Sequence, residues 1–545
     1  MAIGRIAALI GLSLLAYTGL VFNLYDLQIN HGQEYLALAE RSFRTGEKRY
    51  PDRGVVYFTD KHGKELAAVT NKNFQKIYVS PKEIQDYSEA AHQLSIILGV
   101  PAEELAPKLE GSGPKDDYQL LTRKAEDGIV EKVFEANIKG VYIGDDPARY
   151  YSFGNMAAQV LGFVSPNEDD SGSSGKYGIE KYYDEKLGGV PGEISDGGKL
   201  IPPVPGKSLI LTIDPNIQTE SERVLAKLVD DFGAKRGSVI VQEPSTGKIL
   251  AMASDPSFDP NVYSKSNISN FLNPVTQEIY EPGSVFKIVT MAAALDAGKM
   301  TPDTKYNDTG KLVIYDKTIQ NWDLKAHGMV TMTNVIEQSL NTGAAFAEKK
   351  LGHAAFLAYL KKFGFDEKTD IDLPGEVRGN LKSVGPKSPE VAYATASFGQ
   401  GVAITPIEMI SAVSAIANGG KLMRPYLNSE MAPQTIREVI GQKAVSQITG
   451  MMVSAVDKAE VAHIKGYSIA GKTGTAQVPE RGGYSDKVIN TYVGFGPASD
   501  PKFVILIKLD EPQGAPLAGQ TVVPAFRSLA QFIFNYYNIP PDRVE

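Results

Sequence analysis

The 545-residue chain has no cysteine, which excludes disulfides, thiolate catalysis and cysteine-ligated metal. That absence suits an exported protein as well as a cytosolic one. The six histidines, His31, His62, His92, His327, His353 and His463, are scattered with no pair at helical metal-ligand spacing, so neither a metal nor another cofactor is expected. There is no long basic run, and a formal net charge of −8 gives no general cationic field. Nucleic acid is therefore a poor partner. Fixed-period repeats and long low-complexity tracts are also missing.

Charge is missing in one more place. From Ile6 to Leu24 the chain is almost wholly apolar and uncharged, about the length that crosses a bilayer as a helix. Arg5 and the terminal amine precede this run, and the next Lys or Arg is Arg41, so the charge bias puts the amino terminus in the cytoplasm. The rest of the chain then lies on the extracytoplasmic or periplasmic side, held by a single-pass anchor in the cytoplasmic membrane. A cleaved signal peptide competes with this reading, but its small-residue site, Ala16-Tyr17-Thr18, falls inside the apolar run.

What is present is ordinary globular material, 43% hydrophobic and 22% charged, and longer than one domain. Residues 1–25 form the cytoplasmic tip and anchor, with a helix continuing from Asp26 to Ser42. A non-catalytic module covers 26–205: Arg53-Gly54-Val55-Val56-Tyr57 and Asp60-Lys61-His62-Gly63-Lys64 read as strand, turn and strand. A helix follows over Tyr87 to Gly99, with Ala91, Leu94, Ile96 and Leu98 apolar. Asn167 to Lys176 is a Gly/Ser-rich loop. Gly197 to Gly206, with Pro202, Pro203 and Pro205, marks the boundary to a domain over 206–545. There a strand, Leu209 to Asp214, precedes a helix from Pro215 to Val229. Ser238 to Val241 and Ile249 to Met252 form a hairpin, and Thr491 to Gly494 and Phe503 to Leu509 give strands much later. Helices lie between the early and late strands. The expected fold is α/β (α+β), an antiparallel sheet assembled from both ends of the domain and flanked by helices.

Ser284 and Lys287 stand three residues apart after a Pro-Gly turn, at the head of the apolar helical pattern Phe286 to Leu295. One helical turn puts hydroxyl and amine on one face, a nucleophile with its base. The spacing recurs at Ser173/Lys176, Ser245/Lys248 and Ser499/Lys502, but in a loop, a hairpin turn and a proline-bearing connection. Two further elements give it weight. Ser339-Leu340-Asn341 closes a helix-like segment, Val335 to Leu340, and Lys472-Thr473-Gly474-Thr475 follows the strand-like Tyr467 to Ala470. The set S-x-x-K, a serine and asparagine element and K-T-G is an established signature of class A β-lactamases and penicillin-binding proteins.

In these motifs the chain resembles the class B penicillin-binding proteins, the monofunctional, membrane-anchored peptidoglycan D,D-transpeptidases. The likeness extends to Arg53-Gly54 with Asp60 and Gly63, to Gly178-Ile179-Glu180, and to Pro256-Ser257-Phe258-Asp259-Pro260-Asn261. It continues in Phe398-Gly399-Gln400-Gly401, Thr405-Pro406, Ala417-Asn418-Gly419-Gly420 and Val523-Pro524-Ala525-Phe526. Ser80-Pro81-Lys82-Glu83-Ile84 and Lys472 to Gln477 are more like the cell-division branch.

The resemblance implies a penicillin-binding serine transpeptidase fold on an elongated pedestal of the dimerisation type. It implies catalytic roles for Ser284, Lys287, Ser339 and Asn341, and substrate or β-lactam binding by Lys472, Thr473, Gly474 and Thr475. The backbone N–H groups of Ser284 and Thr475 would form the oxyanion hole. Ser284 would take the acyl group from the D-alanyl-D-alanine end of a stem peptide, release D-alanine and pass the acyl group to a neighbouring amine. Lys287 acts as base only if burial or a nearby cation such as Lys472 keeps it neutral. The implied partners are peptidoglycan stem peptides, β-lactams, the membrane, a polytopic glycosyltransferase and other division proteins. The same motifs serve a D,D-carboxypeptidase or β-lactamase, and a non-catalytic penicillin-binding scaffold or sensor is the alternative outside enzymes.

Overall fold

A computed structural model describes residues 2–31, 51–111, 118–167, 172–194, 200–480, 482–515 and 517–543. The chain forms two compact units. One comprises Met1–Gly54, Pro166–Ser173 and Glu185–Lys207; the other comprises Val55–Ser165, Ser174–Asp184 and Ser208–Glu545.

The first unit contains helix α1 (Ala2–Tyr25) and one π-helical turn, Asp26–Asn30, closed by Asn30 Nδ2 donating to Asp26 Oδ1 at 2.9 Å. The remainder of the helix expected up to Ser42 lies outside the described residues, as do 168–171 of the Gly/Ser-rich loop and 197–199 of the proline-rich boundary. Side chains of α1 such as Leu15 and Phe22 stand exposed. No helix among the described residues is long and apolar enough to cross a membrane, so the spanning segment rests on the sequence alone.

Among the described residues the second unit holds two five-stranded sheets, besides smaller two-stranded ones. Strands β1 (Val56–Thr59), β2 (Glu65–Val79), β3 (Gln119–Ala125), β4 (Val141–Tyr151) and β5 (Leu209–Ile210) make the first, in the order β3-β2-β1-β5 with β4 also on β2. Helices α2 (Tyr87–Leu98), α3 (Ala102–Glu110) and α4 (Asp127–Ala136) close its small core around Ile77, Val79, Leu94, Leu105 and Val133. Asp86 starts α2 by accepting from the amides of Ser88 and Glu89, and Gly99 ends it at φ 66°. Of the apolar residues noted in this helix, Ile96 is 73% exposed. At about 100° per residue it points nearly opposite to the buried Leu94. Of the strand expected over Leu209 to Asp214, Leu209–Ile210 forms, running parallel to Val56–Tyr57 as the edge of this sheet. A short apolar run does not encode its partner.

The second sheet is β6 (Arg236–Gln242), β7 (Ile249–Asp255), β8 (Ala470–Glu480), β9 (Gly483–Gly496) and β10 (Phe503–Asp510), in the order β7-β6-β10-β9-β8. Every neighbouring pair is antiparallel, as expected from strands contributed by both ends of the domain. The helices around it include α5 (Pro215–Phe232), α6 (Lys287–Asp296), α7 (Met332–Glu337), α8 (Asn341–Leu351), α9 (Pro406–Ala417), α10 (Gln442–Ala459) and α11 (Val522–Tyr537). Central strand β10 is buried throughout. Its Phe503, Ile505, Ile507 and Leu509 pack with α5 and α11 through Ile217, Leu225, Phe526 and Ile533. Each such side chain contributes about 1.5–3 kcal/mol by leaving water. On the other face lies α9, started by reciprocal hydrogen bonds between Thr405 and Glu408 with Pro406 in its first turn. The active-site motifs are thereby fixed between a rigid sheet edge and buried helices.

Candidate active site

Ser284 sits on a 3-10 turn, Gly283–Phe286, and Lys287 opens α6 directly after it. The sequence suggested one helix beginning at Ser284. The tighter turn nearly eclipses side chains three residues apart, which aligns hydroxyl and amine more closely than an α-helix does. Gly283 has φ 58°, and a Cβ there would come within 3.0 Å of Thr475 O and Ala476 Cβ. A Cβ on Gly474 would meet Pro282 O at 2.9 Å and Val285 Cγ1 at 3.0 Å. These two glycines let β8 lie directly against the turn that carries Ser284.

Lys472-Thr473-Gly474-Thr475 lies within β8, which begins at Ala470, rather than after a strand that ends there. The two-residue period puts Gly474 and Ala476 against the Ser284 turn, while Thr475 Oγ1 accepts from Ala518 N at 3.3 Å. Lys472 is 3% exposed, and its Nζ donates to Thr473 O at 3.0 Å, Thr473 Oγ1 at 3.3 Å and Ser339 Oγ at 3.0 Å.

The segment around Ser339 also differs from expectation. Helix α7 stops at Glu337, and Asn341 starts α8 instead of closing the preceding helix. Between them Ser339 adopts φ 56°, held by Leu340 N donating to Val335 O at 3.0 Å. A left-handed serine costs on the order of 1 kcal/mol or more. It turns Ser339 toward both lysines.

Lys287 is the centre of the site. Its Nζ lies 3.0 Å from Ser284 Oγ, 3.2 Å from Ser339 Oγ, 2.6 Å from Ser339 O and 2.8 Å from Asn341 Oδ1. The residue is 1% exposed, and among the described residues it has no ion pair. Burial, and then repulsion from Lys472, hold its amine well below the ordinary lysine value. Burial alone brings Lys472 down to about 7. Asn341 completes the arrangement: Oδ1 accepts from Lys287, and Nδ2 donates to Gln320 O at 2.8 Å.

All eight residues expected at the site thus converge on one edge of the second sheet. Sequence reasoning missed Gln320, whose contribution is a backbone carbonyl, and the left-handed turn at Ser339. No side-chain motif announces either one. Phe398, whose ring centre is 6.0 Å from Lys287 Nζ, was noticed only within the run Phe398 to Gly401. The arrangement supplies a hydroxyl, a buried low-pKa amine within reach of it, a second hydroxyl touching both amines and a tight backbone approach. Those are the parts of a serine acyl-transfer centre.

Comparison with known proteins gives the same chemistry a family. Residues 237–531 match the penicillin binding protein transpeptidase domain, and residues 48–197 match the penicillin-binding protein dimerisation domain. The chain is 32% identical to stage V sporulation protein D of Bacillus subtilis, over 94% of this chain and 83% of that protein. It is 28% identical to the peptidoglycan D,D-transpeptidase FtsI of Escherichia coli, over 99% and 92% respectively. The fold is similar to that of penicillin binding protein 3 of Mycobacterium tuberculosis, solved with aztreonam, at a TM-score of 0.70 and 24% identity over 91% of this chain and 98% of that one.

Proposed function

This chain belongs to the class B penicillin-binding proteins, peptidoglycan D,D-transpeptidases of the serine type that β-lactams inhibit, and from that premise we propose how its own residues carry the reaction. Ser284 Oγ attacks the carbonyl between the last two D-alanines of a stem peptide, and its proton passes to the neutral Lys287 amine 3.0 Å away. The oxyanion is met by the N–H groups of Ser284 and Thr475, a reading supported by the close packing of their two segments at Gly283 and Gly474. As the carbon–nitrogen bond breaks, Ser339 Oγ, in reach of both lysines, relays a proton to the departing D-alanine amine. An ester on Ser284 remains. The amine of a second stem peptide attacks it, its proton leaves by the same groups, and Ser284 is restored with the crosslink made.

Lys472, Thr473 and Thr475 receive the terminal carboxylate of the donor. That anion stabilises the ammonium form of Lys472, countering the burial that brings it to about 7. The observation that carries this reading is the Lys287 amine, buried with no carboxylate partner among the described residues and in contact with Ser284, Ser339 and Asn341. We propose further that the apolar run Ile6 to Leu24 anchors the protein in the cytoplasmic membrane with the catalytic unit outside. Its work is septal, beside a polytopic glycosyltransferase, a reading supported by the apolar run Ile6 to Leu24 and the likeness to FtsI. The test is intact mass after incubation with a labelled penicillin, beside Ser284→Ala. One stable adduct on the wild type and none on the variant is expected; rapid penicillin turnover would make the protein a hydrolase instead.

A further inference from the structure

Behind Asn341 lies a buried polar cluster that touches neither Ser284 nor either active-site lysine. Asp308, 1% exposed, accepts five hydrogen bonds. Oδ1 takes Thr342 Oγ1 at 2.8 Å and Gly310 N at 3.0 Å; Oδ2 takes Asn321 Nδ2 at 2.9 Å and His327 N at 3.1 Å, and its fifth partner is His327 Nδ1 at 2.7 Å. Asn321, equally buried, accepts from Thr342 N at 3.3 Å. Two consecutive pairs are thus stitched together. Gln320 holds Asn341 through its carbonyl, and Asn321 holds Thr342 through its side chain. Asp308 grips the outer member of each pair. Burial raises its carboxyl, but the hydrogen bonds from Thr342, His327 and Gly310 outweigh that and keep it below the ordinary value, an anion in place.

We propose that Asp308 is a positioning residue for acylation of Ser284: by fixing Asn321 and Thr342 it sets the Gln320 carbonyl and, through it, the Asn341 amide that meets Lys287. Rotation of that amide would present its NH2 group to Lys287 in place of Oδ1, turning an accepting contact into a donating one. Gln320 O blocks the rotation only while the segment bearing it stays pinned to the start of α8. His327, bridging Asp308 and Asp323 Oδ2 (3.1 Å), steadies the pin. This inference rests on the Ser284 acyl-enzyme reading above.

The experiment measures the second-order acylation rate constant of the full chain with a fluorescent penicillin, together with Tm, for wild type, Asp308→Asn, Asn341→Ala and the double variant. Asp308→Asn is expected to slow acylation about tenfold, as small misplacements in an active site do. In the Asn341→Ala background it should change the rate less than about twofold, because residues acting through one group are not additive. An equal loss in both backgrounds, or an unchanged rate in Asp308→Asn, overturns the proposal. If Asp308→Asn does not fold, His327→Ala removes a single side-chain contact to Asp308 and should show a smaller, roughly threefold loss with the same dependence on Asn341; additive behaviour again overturns the proposal. Failure of the wild type itself to be acylated would instead count against the Ser284 reading.

Discussion

Buried lysines occur in two settings in and beside the second sheet. Lys508, on central strand β10, is 4% exposed and donates to both oxygens of Asp510 at 2.5 and 2.6 Å, with Arg236 on the same carboxylate at 2.7 Å. Lys287 on α6 and Lys472 on edge strand β8 are buried as deeply but, among the described residues, meet only neutral oxygens. A carboxylate partner offsets the desolvation of an ammonium and leaves a structural charge pair. Without one, burial drives the amine toward its neutral form, and a neutral amine can take a proton. Buried lysine is a strut on the sheet and, in the mechanism proposed above, a base on the helix beside its edge, and the difference is a carboxylate partner.

Three substitutions break or sharpen this contrast. Lys287→Met should remove the base and slow penicillin acylation by about 10³–10⁴-fold, the upper range for a lost acid–base group, without lowering Tm at neutral pH. Stopped-flow acylation and calorimetry check both halves; a fall in Tm would mean that Lys287 is structural like Lys508. Asp510→Asn does the converse. It strands the Lys508 ammonium and should lose about 3–5 kcal/mol of unfolding free energy in urea titrations, while the acylation rate of the folded fraction stays unchanged. Asn341→Asp imports the strut chemistry into the site, placing a carboxylate where Oδ1 now stands 2.8 Å from Lys287. An adjacent anion raises the lysine pKa. The base works only above its pKa, so the acylation rate should fall as pH falls through it, and in Asn341→Asp that fall should begin at higher pH. At neutral pH the rate should be lower than that of the wild type and recover as pH rises. A pH–rate profile superimposable on the wild type would refute the electrostatic account.

Much of this was legible in the residues. Three motifs gave the eight site positions, and the apolar runs at both ends of the domain gave an antiparallel sheet, because these signals depend on local spacing. What was missed depends on long-range register or on backbone. Ser339 in the left-handed region, the Gln320 carbonyl and the Asp308 cluster leave no pattern in side-chain types. Leu209–Ile210 finds its partner in a strand about 150 residues earlier, which a two-residue apolar pair cannot specify. Apolar type alone does not tell that Ile96 is exposed, whereas the helical period set by the buried Leu94 sends it outward. The absence of a carboxylate beside Lys287 was equally invisible, since it depends on which residues converge from four separate segments.

The most direct test is to titrate Lys287 itself. The 13Cε resonance of labelled lysine in the full chain, assigned by its loss in Lys287→Arg, reports the protonation of the one amine that touches Ser284, Ser339 and Asn341. The account predicts a midpoint well below the ordinary lysine value, with the amine neutral when Ser284 is acylated. A midpoint at the ordinary value of about 10.4 would contradict it, leaving Lys287 a charged strut and Ser284 without its base.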